Sequence, residues 1–139
     1  MITASNVKDY LKSKIDGVDR WYSGSLRSND VKSICVYSKS SMGTNKVCVG
    51  GLENTSTFIQ GYSVLVHWTK NTIETELKSM EIYNALWGQN PVINGHRVIK
   101  INLRDANPIG LGVDDNGIYE YVINFDILKV GKICLRIMD

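Results

Sequence analysis

The clearest alternation of hydrophobic and polar positions lies within residues 108–128. From Tyr119 to Ile127 the odd-numbered positions are aromatic or aliphatic, and a period of two over nine residues predicts a β-strand with one buried and one solvent-exposed face. Apart from Val122, the even-numbered positions are polar: Glu120, Asn124 and Asp126. Asp114–Gly117 precedes this strand, and its Asn and Gly accept the positive φ of a tight turn. Two strands are therefore expected to meet at this turn.

Two segments carry apolar residues at helical spacing. The first runs from Ser5, which can cap the helix, to about Ile15. The second is opened by Asn71, with Glu74 placed to reach back to the cap N–H, and it ends at Gly88. The buried stripe predicted for the second helix is Ile73, Leu77, Met80, Ala85 and Leu86.

Five more segments are predicted to be strands, and they are 20–24, 31–38, 62–68, 97–103 and 133–137. The first is expected at an edge, and the second in the centre because both of its faces are apolar. In the fourth, Ile99, Ile101 and Leu103 are predicted to share one face. Asn94-Gly95, before that strand, has the composition of a two-residue hairpin turn.

The order helix, strands, helix, strands predicts an α+β domain with a mainly antiparallel sheet and two helices packed on one face. The 139 residues fit one domain over 1–139, with no internal repeat or linker. Since 43% of residues are hydrophobic and 22% are charged, the chain can bury a core and does not have a disordered composition.

The net charge and the cysteine content argue against some classes of function. A net charge of +2 is too small for nucleic-acid binding through bulk electrostatics. Cys35, Cys48 and Cys134 show no C-x-x-C spacing, and an odd number without a signal peptide fits a reducing compartment. No apolar run is long enough to span a bilayer, so no membrane partner is expected.

The sequence offers no pattern typical of catalysis. His67 and His96 are the only histidines, and neither has metal-ligand spacing. The glycines of residues 110–117 have the wrong spacing for a dinucleotide fingerprint, and a strand rather than a helix follows them. A calcium loop would need Glu where Phe125 stands. We therefore predict no catalytic residue, metal site or cofactor, and no enzymatic activity.

Three segments, in this order, resemble the minor capsid proteins of tailed phages and prophages of Gram-positive bacteria. They are S-I-C-V-Y at Ser33–Tyr37, Y-S-V-L-V-H-W-T-K-N at Tyr62–Asn71, which leads into I-Y-N-A-L at Ile82–Leu86, and the two turns and aromatic-acidic-aromatic strand of Pro108–Ile127. The similarity in pattern covers most of the chain. It implies a small α+β protein of the tail-terminator type, a family that has no catalytic residues to transfer.

The same resemblance implies a mechanism of assembly rather than turnover. Tail terminators form a ring, usually a hexamer, at the head-proximal end of the tail tube, where the ring stops tube polymerisation and presents a surface to the head connector. The implied partners are further copies of this chain, the tail tube protein, a sheath protein where the tail has one, and a head–tail connector or stopper protein. Phage DNA would pass through the lumen without specific recognition. The implied location is the tail or neck of the virion, after assembly in the bacterial host cytoplasm.

A closed ring needs two different complementary patches on each subunit, which sheet edges and loops can supply. The irregular segment Lys39–Thr57 is expected to reach toward the tube or lumen, because loops of this length are usually functional or mobile. Met42 and Leu52 within it either pack back onto the domain or contact a partner. The residues predicted for the assembly interface are Met42, Lys46, Leu52, Pro108, Asp114 and Asp115.

Three other functions remain open from the sequence. One is a head-completion or stopper protein, which also forms rings. Another is a small ligand-binding or enzymatic α+β domain, in which Trp21, Trp68 and Trp87 would line a pocket, although such aromatics are more often core residues. The third is a nucleic-acid binder, which the absence of a helix with a dense basic face argues against.

Overall fold

The structure is a computed structural model, and it describes residues 2–26, 31–40 and 57–130. These residues form two helices and a seven-stranded sheet. In chain order the elements are α1 (Ala4–Lys14), β1 (Arg20–Ser23), β2 (Ser33–Lys39), β3 (Thr57–His67), α2 (Thr72–Leu86), β4 (Val92–Ile93), β5 (His96–Leu103), β6 (Ile109–Val113) and β7 (Tyr119–Val130).

The sheet is organised around β7. One side of β7 pairs with β3 from end to end, so that Thr57 lies opposite Val130 and His67 opposite Glu120. The other side is shared, because β6 pairs with its first half and β5 with its second half. The main path runs β1-β2-β3-β7-β5-β4, and β1–β2 is the parallel pair. The predicted α+β fold with a mainly antiparallel sheet is confirmed.

One face of the sheet packs against both helices. Buried residues of α1 and α2, including Leu11 and Ile82, belong to the same hydrophobic cluster as the alternating residues of β3 and β7. Tyr62 of β3 and Phe125 of β7 stack with ring centroids 5.8 Å apart. The face predicted to be buried in β7 is therefore the one that meets the helices. The sheet residues of this cluster include Val64, Val66, Ile123 and Ile127, and Trp68 joins them directly after β3.

The helix caps differ in part from the prediction. Thr3, not Ser5, caps α1, because Asn6 completes a reciprocal pair with it: the Thr3 hydroxyl accepts from the Asn6 N–H at 3.2 Å and the Asn6 side chain accepts from the Thr3 N–H at 2.9 Å. Asn71 caps α2 as predicted. Its own N–H, however, donates to the Thr69 hydroxyl rather than to a glutamate.

The buried stripe predicted for α2 is wrong at its start. Ile73 and Leu77 are 66% and 65% exposed, whereas Thr75 and Ser79 are fully buried. The Thr75 hydroxyl donates to the Asn71 carbonyl, and the Ser79 hydroxyl donates to the Thr75 carbonyl, both at 2.8 Å. Because these local bonds satisfy the hydroxyls, the small polar face can lie against the sheet without an unpaired polar group. The apolar face then points away from the domain.

Strand β5 also departs from its predicted alternation. Its register with β7 shifts between Val98 and Lys100, which marks a β-bulge. An extra residue in the strand reverses the faces that follow, so Val98 and Ile101 are buried and Ile99 is 42% exposed. The Asn94-Gly95 turn before β5 is present, and both of its residues have positive φ, as a two-residue hairpin requires.

The alternation predicted that the polar face of β7 is exposed to solvent. The structure shows that part of this face is buried. Asp126 is 1% exposed, and its Oδ1 accepts a hydrogen bond from Arg104 Nη2 at 2.6 Å. Arg104 also donates to the Ser40 carbonyl. The loop after β5 therefore covers this part of the sheet and is tied to it by an ion pair between the buried Asp126 and the half-buried Arg104.

Among the cysteines, Cys35 lies in β2 and is buried, and burial raises the pKa of its thiol. Cys48, Cys134, the last predicted strand and residues 41–56 of the long loop lie outside the described residues.

Candidate assembly surface

The six residues predicted for an assembly interface divide into two groups. Met42, Lys46 and Leu52 lie outside the described residues. The other three lie on either side of β6: Pro108 is buried immediately before the strand, Asp114 is half-buried after it, and Asp115 is exposed in the turn. The structure thus places the described half of the prediction around a single edge strand.

The strand β6 itself is the most exposed apolar strand of the described chain, and sequence analysis did not single it out. Every residue of β6 is exposed. Its three large side chains are Ile109, Leu111 and Val113, which are 39%, 54% and 54% exposed. Glycines separate them, and the register shift between Gly110 and Gly112 marks a bulge.

Within the part of the chain that the structure describes, β6 pairs with β7 along one edge, and no strand covers its other edge. It contains neither proline nor charged residues, which are the usual means of protecting an edge strand from pairing with another chain. Because glycines alternate with the apolar residues, β6 has few bulky side chains and a flexible backbone at this edge. Such an edge is suited to adding a strand from another molecule.

The turn after β6 is held firmly by Asp114. One carboxylate oxygen of Asp114 accepts from the N–H groups of Asn116 at 2.8 Å and Ile118 at 3.0 Å. The other accepts from His67 Nε2 at 2.7 Å, and His67 is itself 1% exposed in β3. Gly117 follows with φ +78°, a conformation that favours glycine. Asp114 therefore fixes the end of β6, and the neighbouring Asp115 is exposed.

The Asp114 contacts predict a dependence of stability on acid pH. The hydrogen bond from His67, followed by the backbone N–H of Ile118, holds the pKa of Asp114 below its ordinary value of 3.8. A carboxyl group whose pKa is lowered by folding stabilises the protein above its unfolded-state pKa, and this contribution is lost as the pH falls through the folded-state value. We expect Asp114→Asn to lower Tm near neutral pH, and the difference from the parent to shrink below about pH 4.

Thermal unfolding of both proteins between about pH 6 and pH 2.5 measures this effect. Asp115→Asn is the matched control, because Asp115 is exposed in the same turn. A Tm difference for Asp114→Asn that stays constant across this range would contradict the assignment.

A cleft of about 400 Å³ lies between the end of α2 and β5. Its lining includes Tyr83, Trp87, Ile99 and Lys100. The other two tryptophans are elsewhere, since Trp68 is buried and Trp21 packs against the core. In the described part of the chain, no three His, Cys, Asp or Glu side chains come together as a metal site would need. No helix among the described residues is long and apolar enough to cross a membrane.

Comparison with known families shows to which family the chain belongs. Residues 10–130 match the family model of the bacteriophage tail terminator protein. The chain belongs to the bacteriophage tail terminator family. Comparison with curated proteins gives no match. The family match begins within α1 and ends at the last residue of β7, so it includes β6 and the turn held by Asp114.

Membership in the tail terminator family makes this chain a structural protein of a phage tail. The predicted family is thereby confirmed, while the Gram-positive host stays a prediction. For a tail terminator, the features of interest are surfaces that contact other tail components. The exposed apolar strand β6, next to the turn held by Asp114, has the properties expected of such a surface.

Proposed function

We propose that this chain forms a ring, most simply a hexamer, at the head-proximal end of the tail tube. The ring terminates tube polymerisation and presents a surface to the head–tail connector. Its role is structural, without catalysis or cofactor, in the tail or neck of a virion that assembles in the host cytoplasm. The observation that carries the proposal is the apolar edge of β6, which no strand of the described residues covers, in a member of the tail terminator family.

The physical argument starts from the exposed strand. An unprotected apolar edge strand invites pairing with another chain, so a protein that retains one is expected to cover it in its working state. A ring closes through a heterologous contact, in which two different patches of the same subunit meet on neighbouring copies. We assign β6 as one of these two patches and a second copy of this chain as its occupant. The Asp114 turn keeps the strand in the geometry that the neighbour needs.

Particles that lack this protein test the termination role. We expect tails of abnormal length without heads, because nothing would stop polymerisation of the tube or offer a surface to the connector. Filled heads that leak DNA, together with tails of normal length, would instead indicate a stopper protein of the neck. Electron micrographs of the mutant lysate distinguish the two outcomes.

A charge placed on β6 tests the assembly surface. We expect Leu111→Lys to prevent ring formation, because a lysine inside a strand–strand contact would be buried without a partner. The free energy of unfolding should change by less than about 0.5 kcal/mol, since Leu111 is 54% exposed in the isolated chain. Sedimentation of the purified protein, alone and with tail tubes, measures the assembly state.

Val92→Lys is the matched control, because Val92 is 68% exposed on the short edge strand β4. It is expected to leave assembly intact. If Val92→Lys blocks assembly and Leu111→Lys does not, the contact lies at the β4 edge and the assignment to β6 is wrong.

A further inference from the structure

Helix α2 carries a second apolar stripe on the side that faces away from the sheet. This outer stripe consists of four apolar residues and one amide, namely Ile73, Leu77, Met80, Asn84 and Trp87. Met80 is half-buried, and Trp87, the C-cap residue, also lines the cleft between the end of α2 and β5. The spacing of four, three, four and three residues is the heptad pattern by which one helix packs against another. Ile73, Leu77 and Trp87 are between 65% and 66% exposed. The stripe lies opposite the buried face that contains Thr75, Ser79, Ile82 and Leu86.

The outer stripe is bordered by acidic residues. Glu74 and Glu81 lie along one side of it and Glu76 along the other, at the positions that flank a heptad seam. All three are exposed. Lys78 pairs with Glu81 at 2.8 Å, but its own side chain is only 16% exposed, and its Nζ also lies 5.2 Å from the centre of the Trp68 ring. Lys78 therefore points toward the domain and leaves the border of the stripe predominantly acidic.

The acidic residues that border the outer stripe determine which kind of helix can pack against it. If two copies of α2 packed together, glutamates would face glutamates in either orientation, and such like-charge pairs destabilise a helix pair. The other described helix is no better as an occupant. Apart from the helix ends, the exposed residues of α1 are Asp9, Lys12 and Ser13, which form no apolar stripe. The occupant must then be apolar along its seam and basic along its borders.

We propose that the outer stripe of α2 is a docking surface for an amphipathic helix of a different protein, with Lys or Arg flanking its apolar seam. Complementary charge would orient the incoming helix, and the exposed apolar side chains would supply most of the affinity. The contact is small, so it is expected to be weak on its own and to act together with other contacts in the particle. This proposal goes beyond ring formation, because it assigns α2 to another protein while β6 serves copies of this chain.

A pair of synthetic helical peptides tests the proposal on the intact chain. Both peptides carry Leu and Ile at the seam positions of three heptads, and they differ in having Lys or Glu at every flanking position. We expect the Lys peptide to bind at least tenfold more tightly than the Glu peptide, with the difference shrinking at high salt. Anisotropy of the labelled peptides measures both affinities. Equal binding of the two peptides, or binding of neither, would overturn the proposal.

Substitutions locate the site. Leu77→Asp should weaken binding of the Lys peptide at least tenfold, while Val92→Asp, at a similarly exposed apolar residue, should not. The double variant Glu74→Lys/Glu76→Lys should reverse the preference toward the Glu peptide. An unchanged affinity for Leu77→Asp would contradict the proposal.

The assembly state separates this proposal from the ring contact. If Leu77→Asp dissociates the oligomer and Leu111→Lys does not, then a second copy occupies the stripe and the proposal is wrong. If only Leu111→Lys dissociates the oligomer and only Leu77→Asp weakens binding of the Lys peptide, both assignments stand.

Discussion

Asp126→Ala is expected to lower the free energy of unfolding by about 3–5 kcal/mol, the range measured when one partner of a buried ion pair is removed. Asp126 is 1% exposed, and its partner Arg104 is 13% exposed. Without the carboxylate, the guanidinium would be left in the interior with its charge uncompensated. Its hydrogen bond to the Ser40 carbonyl would not replace the lost countercharge. Urea unfolding followed by circular dichroism gives the difference.

Two further variants show whether the charge itself is responsible. Asp115→Ala removes an exposed carboxylate and is expected to change stability by less than about 0.5 kcal/mol. The double variant Asp126→Ala/Arg104→Met should recover much of the loss, because an apolar side chain has no charge to leave unpaired. A loss below about 1 kcal/mol for Asp126→Ala would mean that the pair behaves as an exposed ion pair.

This ion pair also bears on the assembly surface. Arg104 begins the segment that joins β5 to β6, and its backbone N–H donates to the Asn124 carbonyl at 3.0 Å. The pair therefore fixes one end of the connection into β6, and the His67–Asp114 contact fixes the turn at the other end. Both anchors are buried or half-buried, whereas the strand between them is exposed. We expect loss of either anchor to disturb the proposed ring contact before it disturbs the helices.

The buried face of β7 could be predicted from sequence because a period of two leaves few alternatives. The Asp126 side of β7 could not, since its burial depends on Arg104, which lies 22 residues away in the loop after β5. The bulge in β5 was missed for a similar reason. One extra residue reverses the faces of a strand, and nothing in the residue types at 98–100 marks it.

Helix α2 shows the limit of choosing a buried face by hydrophobicity. It has two candidate faces, and the more apolar one, with Ile73 and Leu77, was predicted to be buried. The sheet instead takes the face with Thr75 and Ser79, whose hydroxyls are satisfied within the helix. The prediction failed because it counted apolar residues and ignored local hydrogen bonds that make small polar residues acceptable in a core.

For the candidate assembly surface, residues on both sides of β6 were predicted, but the residues of β6 itself were not. Pro108, Asp114 and Asp115 were chosen, but they flank the exposed strand rather than form it. The two strands expected to meet at the Asp114–Gly117 turn are present as β6 and β7. The sequence did not show that every residue of β6 is exposed. Met42, Lys46 and Leu52 stay predictions.

Gly61→Ala is expected to destabilise the fold by about 3 kcal/mol, because there is no room for a side chain. Gly61 lies in β3, with Lys39 of β2 on one side and Asp126 of β7 on the other. A Cβ there would lie 2.6 Å from the Lys39 carbonyl oxygen and 2.7 Å from Arg104 Nη2. Backbone atoms cannot move aside as a flexible side chain can, so the strands or the ion pair must shift.

Gly110→Ala is the matched control for Gly61→Ala. It also places an alanine in a strand, but its Cβ would meet the Tyr121 ring at 3.4 Å, which is close to ordinary contact. We expect it to change the free energy of unfolding by less than about 0.5 kcal/mol. Similar losses for the two glycine variants would mean that space at Gly61 is not the reason for its effect.

Because the guanidinium of Arg104 crosses directly over Gly61, the effects of Gly61→Ala and Asp126→Ala should not be independent. Residues that share a partner typically show interaction energies of about 0.5–3 kcal/mol in a double-mutant cycle. Once Gly61→Ala has displaced the guanidinium, removal of its carboxylate partner has less left to disrupt. The double variant is therefore expected to lose less stability than the sum of the single variants. Additive losses of stability would show that the alanine at position 61 collides only with the β2 backbone. The Arg104–Asp126 ion pair would then not depend on a glycine at this position.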